Sequence, residues 1–295
     1  MRDYVLSCCS TADLTREHFE SRNIKYVCFH YTIEGVEYPD DLGETMSFEE
    51  FYRRVSAGAM PTTSQVNVEQ YIEFWEPYLK EGKDILHLTL SSGISGTYNS
   101  ACVAREELIE KYPDCKIYVV DSLCAASGYG MLMTILADKR DAGASVDELY
   151  QWVEDNKLNL QHWVYVTDLS HLRRGGRIST VSAVAGSLLN ICPIIKVNVE
   201  GKLLNVKNVR GRRKAMDELF TKMKELAIDG ENYSGKCYIS HSACTDEARK
   251  LADMVEAAFP KLQEPVCINS IGAVIGSHTG PGTLVIFFMG EKRAD

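Results

Sequence analysis

Two glycines and four hydroxyls crowd into the seven residues from Ser91 to Thr97, directly after the apolar run Ile85, Leu86, Leu88 and Leu90. A buried strand that runs into such a loop and then opens a helix sets hydroxyl and backbone N–H donors where the helix dipole already favours negative charge. Ser91, Ser92, Ser95 and Thr97 supply the hydroxyls, and Gly93 and Gly96 allow the backbone to come close to a ligand. The segment predicts an anion site, and its donors suit a carboxylate or a phosphate alike.

Three other segments carry polar chemistry. Thr62-Thr63-Ser64-Gln65 follows Pro61 and precedes a helix expected from Asn67, so its hydroxyls are either an N-cap cluster or donors to a ligand. In Gly276-Ser277-His278-Thr279-Gly280-Pro281-Gly282-Thr283 a loop fixed by glycines and proline surrounds His278. That imidazole is either structural or a donor to an anion, as imidazolium or as the suitable neutral tautomer. The basic run His171-Leu172-Arg173-Arg174-Gly175-Gly176-Arg177 is joined by Lys207, Arg210, Arg212, Arg213 and Lys214. Arginines grip phosphate bidentately, so a phosphorylated ligand, a nucleotide held by a partner, an acidic protein surface and a plain solvated face all remain open.

Several known machines are missing. There is no G-x-x-x-x-G-K-[ST], Gly128-Tyr129-Gly130 lacks the third glycine of a dinucleotide fingerprint, and no H-E-x-x-H or zinc-spaced Cys/His cluster occurs. Gly93-Ile94-Ser95-Gly96 falls one residue short of a nucleophile elbow. A serine esterase or thioesterase with Ser95 as nucleophile, His278 as base and Asp121 as acid is therefore the alternative reading. A net charge of -9 opposes nucleic-acid binding through Arg173, Arg174 and Arg177.

The elements that must position these residues alternate between strand and helix, which predicts an α/β protein. In the first half strands are expected at Tyr4 to Cys8, Tyr26 to Tyr31, Ile85 to Leu90 and Ile117 to Val120. Ser47-Phe48-Glu49-Glu50 has capping-box spacing ahead of Phe51, Tyr52 and Val55. A helix from about Asn67, with Gln70 three residues on, carries Val68, Tyr71, Ile72, Trp75 and Leu79 on one face. Further helices are expected at Thr97 to Tyr112, Ser127 to Lys139 and Ser145 to Leu158.

In the second half strands are expected at His162 to Val166, Ile194 to Val199, Lys202 to Val209, Cys237 to Ser240 and Leu284 to Met289, with helices at Arg213 to Ile228 and Thr245 to Phe259. Glu200-Gly201 reads as a hairpin turn and makes this half α+β. The chain of 295 residues has room for two domains, divided around Asp155 to Gln161. The expectation is a domain at 1–158 with a mainly parallel sheet flanked by helices, and one at 159–295 with a mixed sheet and helices.

No apolar stretch approaches the roughly 20 residues of a membrane span, and Met1 to Val5 lacks a signal-peptide pattern, so a cytoplasmic protein is expected. The ten cysteines are scattered, with Cys8-Cys9 the only close pair and no C-x-x-C, which predicts buried reduced thiols.

Taken together and in order, Ser10-Thr11-Ala12-Asp13-Leu14, Thr62 to Gln65, Ser91 to Ser100, Val120-Asp121-Ser122, Leu172 to Ser179 and His278 to Gly282 resemble the DegV family of fatty-acid-binding proteins. The likeness covers essentially the whole chain. It implies one long-chain fatty acid such as palmitate, stearate or oleate, buried in an apolar tunnel with no cofactor. It also implies a carboxylate held by Thr63, Ser95 and His278, with Ser64, Ser92, Gly96, Thr97, Thr279 and Gly280 in the supporting loops.

By the same resemblance the chain is a non-catalytic subunit that presents the acid to a separate ATP-dependent fatty acid kinase, which makes the acyl phosphate. Arg177 and Arg210 match the arginines that face that partner. The chain departs from the family's Asp-Ser-Thr opening in having Cys9 before Ser10-Thr11, which bears only on a local turn. Burying about 16 carbons at roughly 0.8 kcal/mol per methylene gives a gross gain on the order of 10 kcal/mol, so the tunnel supplies affinity and the head group orientation. An unpartnered carboxylate would cost several kcal/mol, which is why hydroxyls, backbone N–H groups and an imidazole are expected to converge on it.

Overall fold

The β-branched and leucine-rich runs of the first half form a parallel sheet, as continuous apolar strands buried on both faces should. The computed structural model describes residues 2–178 and 190–294. Strand β1 (Tyr4–Cys9) leads through α1 (Arg16–Ser21) to β2 (Ile24–Val27), which pairs beside it in parallel.

The chain then leaves that sheet. The strand expected from Tyr26 to Tyr31 is two strands in different sheets, because the backbone of Phe29 is taken by other partners: its N–H donates to Ser10 Oγ at 3.1 Å and its carbonyl accepts from Asp40 N at 2.8 Å. Beyond this break the chain forms a small antiparallel sheet of β3 (His30–Ile33), β4 (Val36–Pro39) and, after α2 (Phe48–Ser56), β5 (Thr62–Ser64), in the order β4-β3-β5.

Thr62 to Ser64 therefore do not cap a helix. They are a strand, with Thr63 opposite Tyr31, and the cap of α3 (Val68–Lys80) is Asn67 in a full capping box with Gln70. At α2 only half of the expected box forms. Ser47 accepts from Glu50 N, while the Glu50 carboxylate turns to Arg53 and Arg54. Strands β6 (Asp84–Thr89) and β7 (Ile117–Asp121) complete the parallel sheet in the order β2-β1-β6-β7, with α4 (Thr97–Lys111) between them. Helices α5 (Ser127–Asp141) and α6 (Val146–Asn156) come next, and Lys157–Asn159 tighten into a short 3-10 turn where a longer helix was expected.

The rest of the chain builds a six-stranded mixed sheet. Its elements are β8 (Leu160–Tyr165), α7 (Ser170–Arg174), β9 (Ile191–Val197), β10 (Leu203–Arg210), α8 (Arg212–Leu226), β11 (Cys237–His241), α9 (Thr245–Ala258), β12 (Cys267–Ser270), α10 (Ala273–Thr279) and β13 (Leu284–Met289). The strand order is β10-β9-β8-β13-β11-β12, antiparallel except for the β11–β12 pair. The expected turn at Glu200-Gly201 joins β9 to β10. Gly201 adopts φ +71, and Asn198 Oδ1 accepts from the N–H groups of Glu200 and Lys202.

Side chains alternate across this sheet with the period of a strand. Trp163, Tyr165, Leu284, Ile286 and Phe288 pack with α8 and α9 residues, whereas Val164, Val285 and Phe287 join one core with residues of the first half. Hydroxyls bridge the same seam: Ser240 Oγ donates to Ser127 Oγ at 2.8 Å and Tyr238 OH to Thr134 Oγ1 at 3.0 Å.

The loop expected around His278 is also corrected. Gly276 to Thr279 lie in α10, with Gly280 at φ +73 ending the helix, so His278 is in its last turn. The expectation of reduced thiols agrees with ten free cysteines, seven of them buried. Among the described residues no helix is long and apolar enough to cross a membrane, and no group of His, Cys, Asp or Glu is placed to hold a metal ion.

Candidate functional site

Between the inner face of the mixed sheet and the first half lies a cavity of about 500 Å³, within the range of small-ligand sites. Val164 and Val166 of the β8 run, Ile195 and Val197 of β9, and Val285 and Phe287 of β13 form an apolar wall, opposed by Leu90, Ile94, Val274 and Ile275. Polar lining gathers at one end, where Thr63, Ser64, Gln65, Asn67, Ser95, Arg177, His278 and Thr279 are half-buried or exposed. Five separate elements bring them there.

Thr63 comes from β5 and His278 from the last turn of α10, and their side chains meet with Thr63 Oγ1 and His278 Nε2 2.8 Å apart. The tautomer of the ring sets which atom donates. Burial pushes the His278 pKa down to about 4, helped by the charges of Arg177, Arg174 and His171, so the ring is neutral at neutral pH and offers one donor and one acceptor. The sequence left imidazolium and neutral imidazole open, and this environment selects the neutral form. Gly175 lies so close to the ring that a Cβ there would overlap it. His171 packs against Gly280 and meets Arg174 at 3.0 Å.

Helix α10 is anchored from its other end. Asp13 Oδ1 accepts from Gly272 N at 3.1 Å, Asp40 accepts from Ser10 Oγ at 3.0 Å and from the N–H groups of Ala273 and Val274, and Tyr52 OH donates to Ile271 O at 2.8 Å. Both carboxyls are fully buried, which raises their pKa values, that of Asp40 to about 6. Asp13 belonged to a motif seen in the sequence. Asp40 carried no sequence signal, because its partners on helix α10, Ala273 and Val274, lie more than two hundred residues away.

The glycine and hydroxyl loop does less at the cavity than its composition implied. The N–H groups of Ile94 and Ser95 donate to Ser91 O, that of Gly93 to Ser91 Oγ, that of Ser92 to Asp121 Oδ1 and that of Thr97 to Ser95 Oγ. These five backbone donors are thus committed to the protein. Ser91 Oγ donates to Gly201 O at 2.9 Å, and Thr97 Oγ1 lies 2.7 Å from Tyr71 OH, so those hydroxyls are structural. Of the four only Ser95 lines the cavity. The glycines serve packing: a Cβ on Gly93 would meet the Glu200 and Gly201 backbone at 2.5–2.7 Å, and one on Gly96 would meet Gln65 at 2.7 Å.

Arg177 lines the cavity beside His278, with Nε donating to Ile94 O at 3.0 Å and another nitrogen to Gly175 O. Arg210 is brought to a different place, exposed at the end of β10 and outside the cavity wall. Lys207 pairs with Glu218, and Arg212 with Glu247. Ser179 lies outside the described residues.

The hydrolase arrangement is not assembled. Asp121 accepts from the Ser92 and Leu123 N–H groups, and among the described residues no hydrogen bond joins Ser95 to His278. The apolar lining residues carried no site assignment from sequence, and among the polar ones neither did His162 of β8, whose alternation with Val164 and Val166 was the available signal.

A family model described as "Uncharacterised protein, DegV family" matches residues 9–291. A DegV domain-containing protein of Clostridium perfringens is 41% identical over 293 residues, 99% of each chain. Among solved structures, a DegV family protein from Thermus thermophilus described by its fatty acid binding superposes with a TM-score of 0.85 at 29% identity, covering 97% of this chain and 99% of that one. DegV from Bacillus subtilis, described as a fatty acid binding protein, gives a TM-score of 0.84 at 26% identity with the same coverage.

Proposed function

The chain belongs to the DegV family, and from that membership together with its cavity we propose that it binds one long-chain fatty acid and presents it to a separate kinase. The observation that carries this reading is an apolar cavity whose polar end gathers Thr63, Ser95 and His278. In this reading the acyl chain lies along Val164, Val166, Ile195 and Val285, and the carboxylate accepts from the Ser95 hydroxyl and the Thr63–His278 pair. Residues 1–158 and 159–295 are the two units that close on it.

A neutral His278 suits that role, since a bound carboxylate brings a full charge and draws the imidazole N–H toward itself. Two or three such bonds orient the head group, while apolar burial on the order of 10 kcal/mol for about 16 carbons supplies affinity. Arg177, at the polar end, is suited to the phosphoryl group that an ATP-dependent fatty acid kinase adds, and exposed Arg210 to the kinase surface. The chain itself then makes no acyl phosphate, and it works in the cytoplasm where ATP is.

Native mass spectrometry of protein purified from bacterial cells tests the binding. A mass increment of one long-chain fatty acid, exchangeable with oleate or palmitate, is expected. Protein that is uniformly ligand-free and takes up neither acid contradicts it. Addition of kinase and ATP to the loaded protein then tests presentation, with acyl phosphate as the expected product.

A further inference from the structure

Two residues between β7 and α5 hold a backbone conformation that side chains rarely adopt. Leu123 has φ +52, and Ala126, the N-cap of α5, has φ +52 with ψ -149, close to a region kept almost entirely for glycine. Ala125 and Ala126 line the cavity. They do so away from its polar end. Val166 borders Thr167, whose Oγ1 donates to Pro281 O just beyond the His278 helix, and His162 lies four residues back along the β8 run, on the order of 13 Å at the rise of a strand. Val197 is on the same side, two residues beyond Ile195, which pairs with Val164. Ala125 O accepts from Gly128 N at 3.1 Å, and a Cβ on Gly128 would overlap the His162 ring, so the two alanines sit beside that far row.

Strained backbone persists where surrounding contacts hold it, and here a guanidinium does so. Arg293 follows β13 and is 6% exposed. Its Nη1 donates to Leu123 O at 3.0 Å and to Asn198 O at 3.1 Å, while Nη2 reaches Lys157 O at 3.3 Å and Cys124 Sγ at 3.9 Å. Its backbone N–H donates to Leu158 O at 2.9 Å. Leu123 and Cys124 precede Ala125, and Asn198 follows Val197, so one planar fork grips the chain just outside lining residues from both halves. Among the described residues, every hydrogen bond that reaches Leu123–Ala126 from the second half comes from Arg293.

Resting on the reading of the cavity as a fatty-acid site, we infer that Arg293 is a positioning residue for acyl-length selectivity. It holds the strained Leu123–Ala126 turn against the end of β9 and so closes the far end of the cavity. The ligand class is a straight-chain fatty acid with a defined upper length. Within that length each further buried methylene adds about fourfold in affinity, and a longer acid has to push the turn open.

Competition binding to the full chain of the even-numbered saturated acids from dodecanoate to docosanoate tests this. Wild-type affinity is expected to rise with length to a limit and to fall beyond it. In Arg293→Ala the limit should move at least one acid later in the series, raising the affinity of the first excluded acid relative to dodecanoate by roughly tenfold, as burial of two more methylenes implies. Arg293→Lys, which keeps the charge but not the fork, should shift the same ratio by less. Wild-type affinity that rises without limit to docosanoate overturns the inference. So does an unchanged ratio in Arg293→Ala, or in Arg293→Lys should the alanine variant not fold, even where the variant is less stable than the wild type. If no acid of the series binds the wild-type protein, the fatty-acid reading falls, which is a different result from binding with an unmoved limit.

Discussion

The two ends of helix α10 present opposite uses of similar polar chemistry. At its start, Asp13 and Asp40 are fully buried and directed at backbone N–H groups and Ser10. At its end, His278 is partly exposed and shares one hydroxyl partner, Thr63, at the cavity. Asp40 and one oxygen of Asp13 are given to holding the helix, the other Asp13 oxygen being sealed in the core without a partner among the described residues, whereas the imidazole keeps capacity for a ligand at the cavity. Burial alone therefore does not mark the binding group. What marks it is a polar atom that faces a cavity with capacity left over.

The largest effect that can break this contrast is on the buried side. Asp40, raised to about 6 by burial, keeps a proton in the folded state that the unfolded chain releases near pH 4. Its contribution to stability is full below about pH 4 and is lost as pH rises to about 6. A displacement of that size is worth on the order of 3 kcal/mol. Denaturant unfolding across this range should show a smaller loss in Asp40→Asn than in the wild-type protein, the remainder coming from Asp13, whose pKa burial also raises. Parallel pH profiles for the two proteins would remove Asp40 from the helix anchor.

Next in size is the ligand side. His278→Ala should weaken palmitate binding by about ten- to a hundredfold, the worth of a hydrogen bond to a charged group, with little change in stability. Gly175→Ala should approach that loss in an isothermal titration because its methyl group displaces the imidazole. Wild-type affinity in Gly175→Ala would show that the ring position is not critical. Ser95→Ala should cost about tenfold and leave unfolding unchanged, since its main structural bond is a single one from Thr97 N. The smallest effect on lipid affinity belongs to Arg210→Ala, expected within about twofold of wild type by the same titration because the residue is outside the cavity. Its loss should be read in acyl-phosphate formation with the kinase.

Local signals were legible in the sequence and distant ones were not. The capping box at Asn67 and Gln70 and the turn at Gly201 depend on neighbours within a few residues, and each formed as its residues imply. The break at Phe29 depends on Ser10 and Asp40, and the commitment of the Ser92 N–H group depends on Asp121. Partners of that kind leave no periodicity. His162 stood inside an expected strand, yet tunnel wall and ordinary core share one alternation, so only the cavity distinguishes it.

The most direct test is a crystal structure of the chain with palmitate. Carboxylate oxygens are expected about 3 Å from Ser95 Oγ and from the Thr63–His278 pair, with the chain running past Val164 toward His162. A carboxylate seated at His162, or a lipid bound outside this cavity, would contradict it.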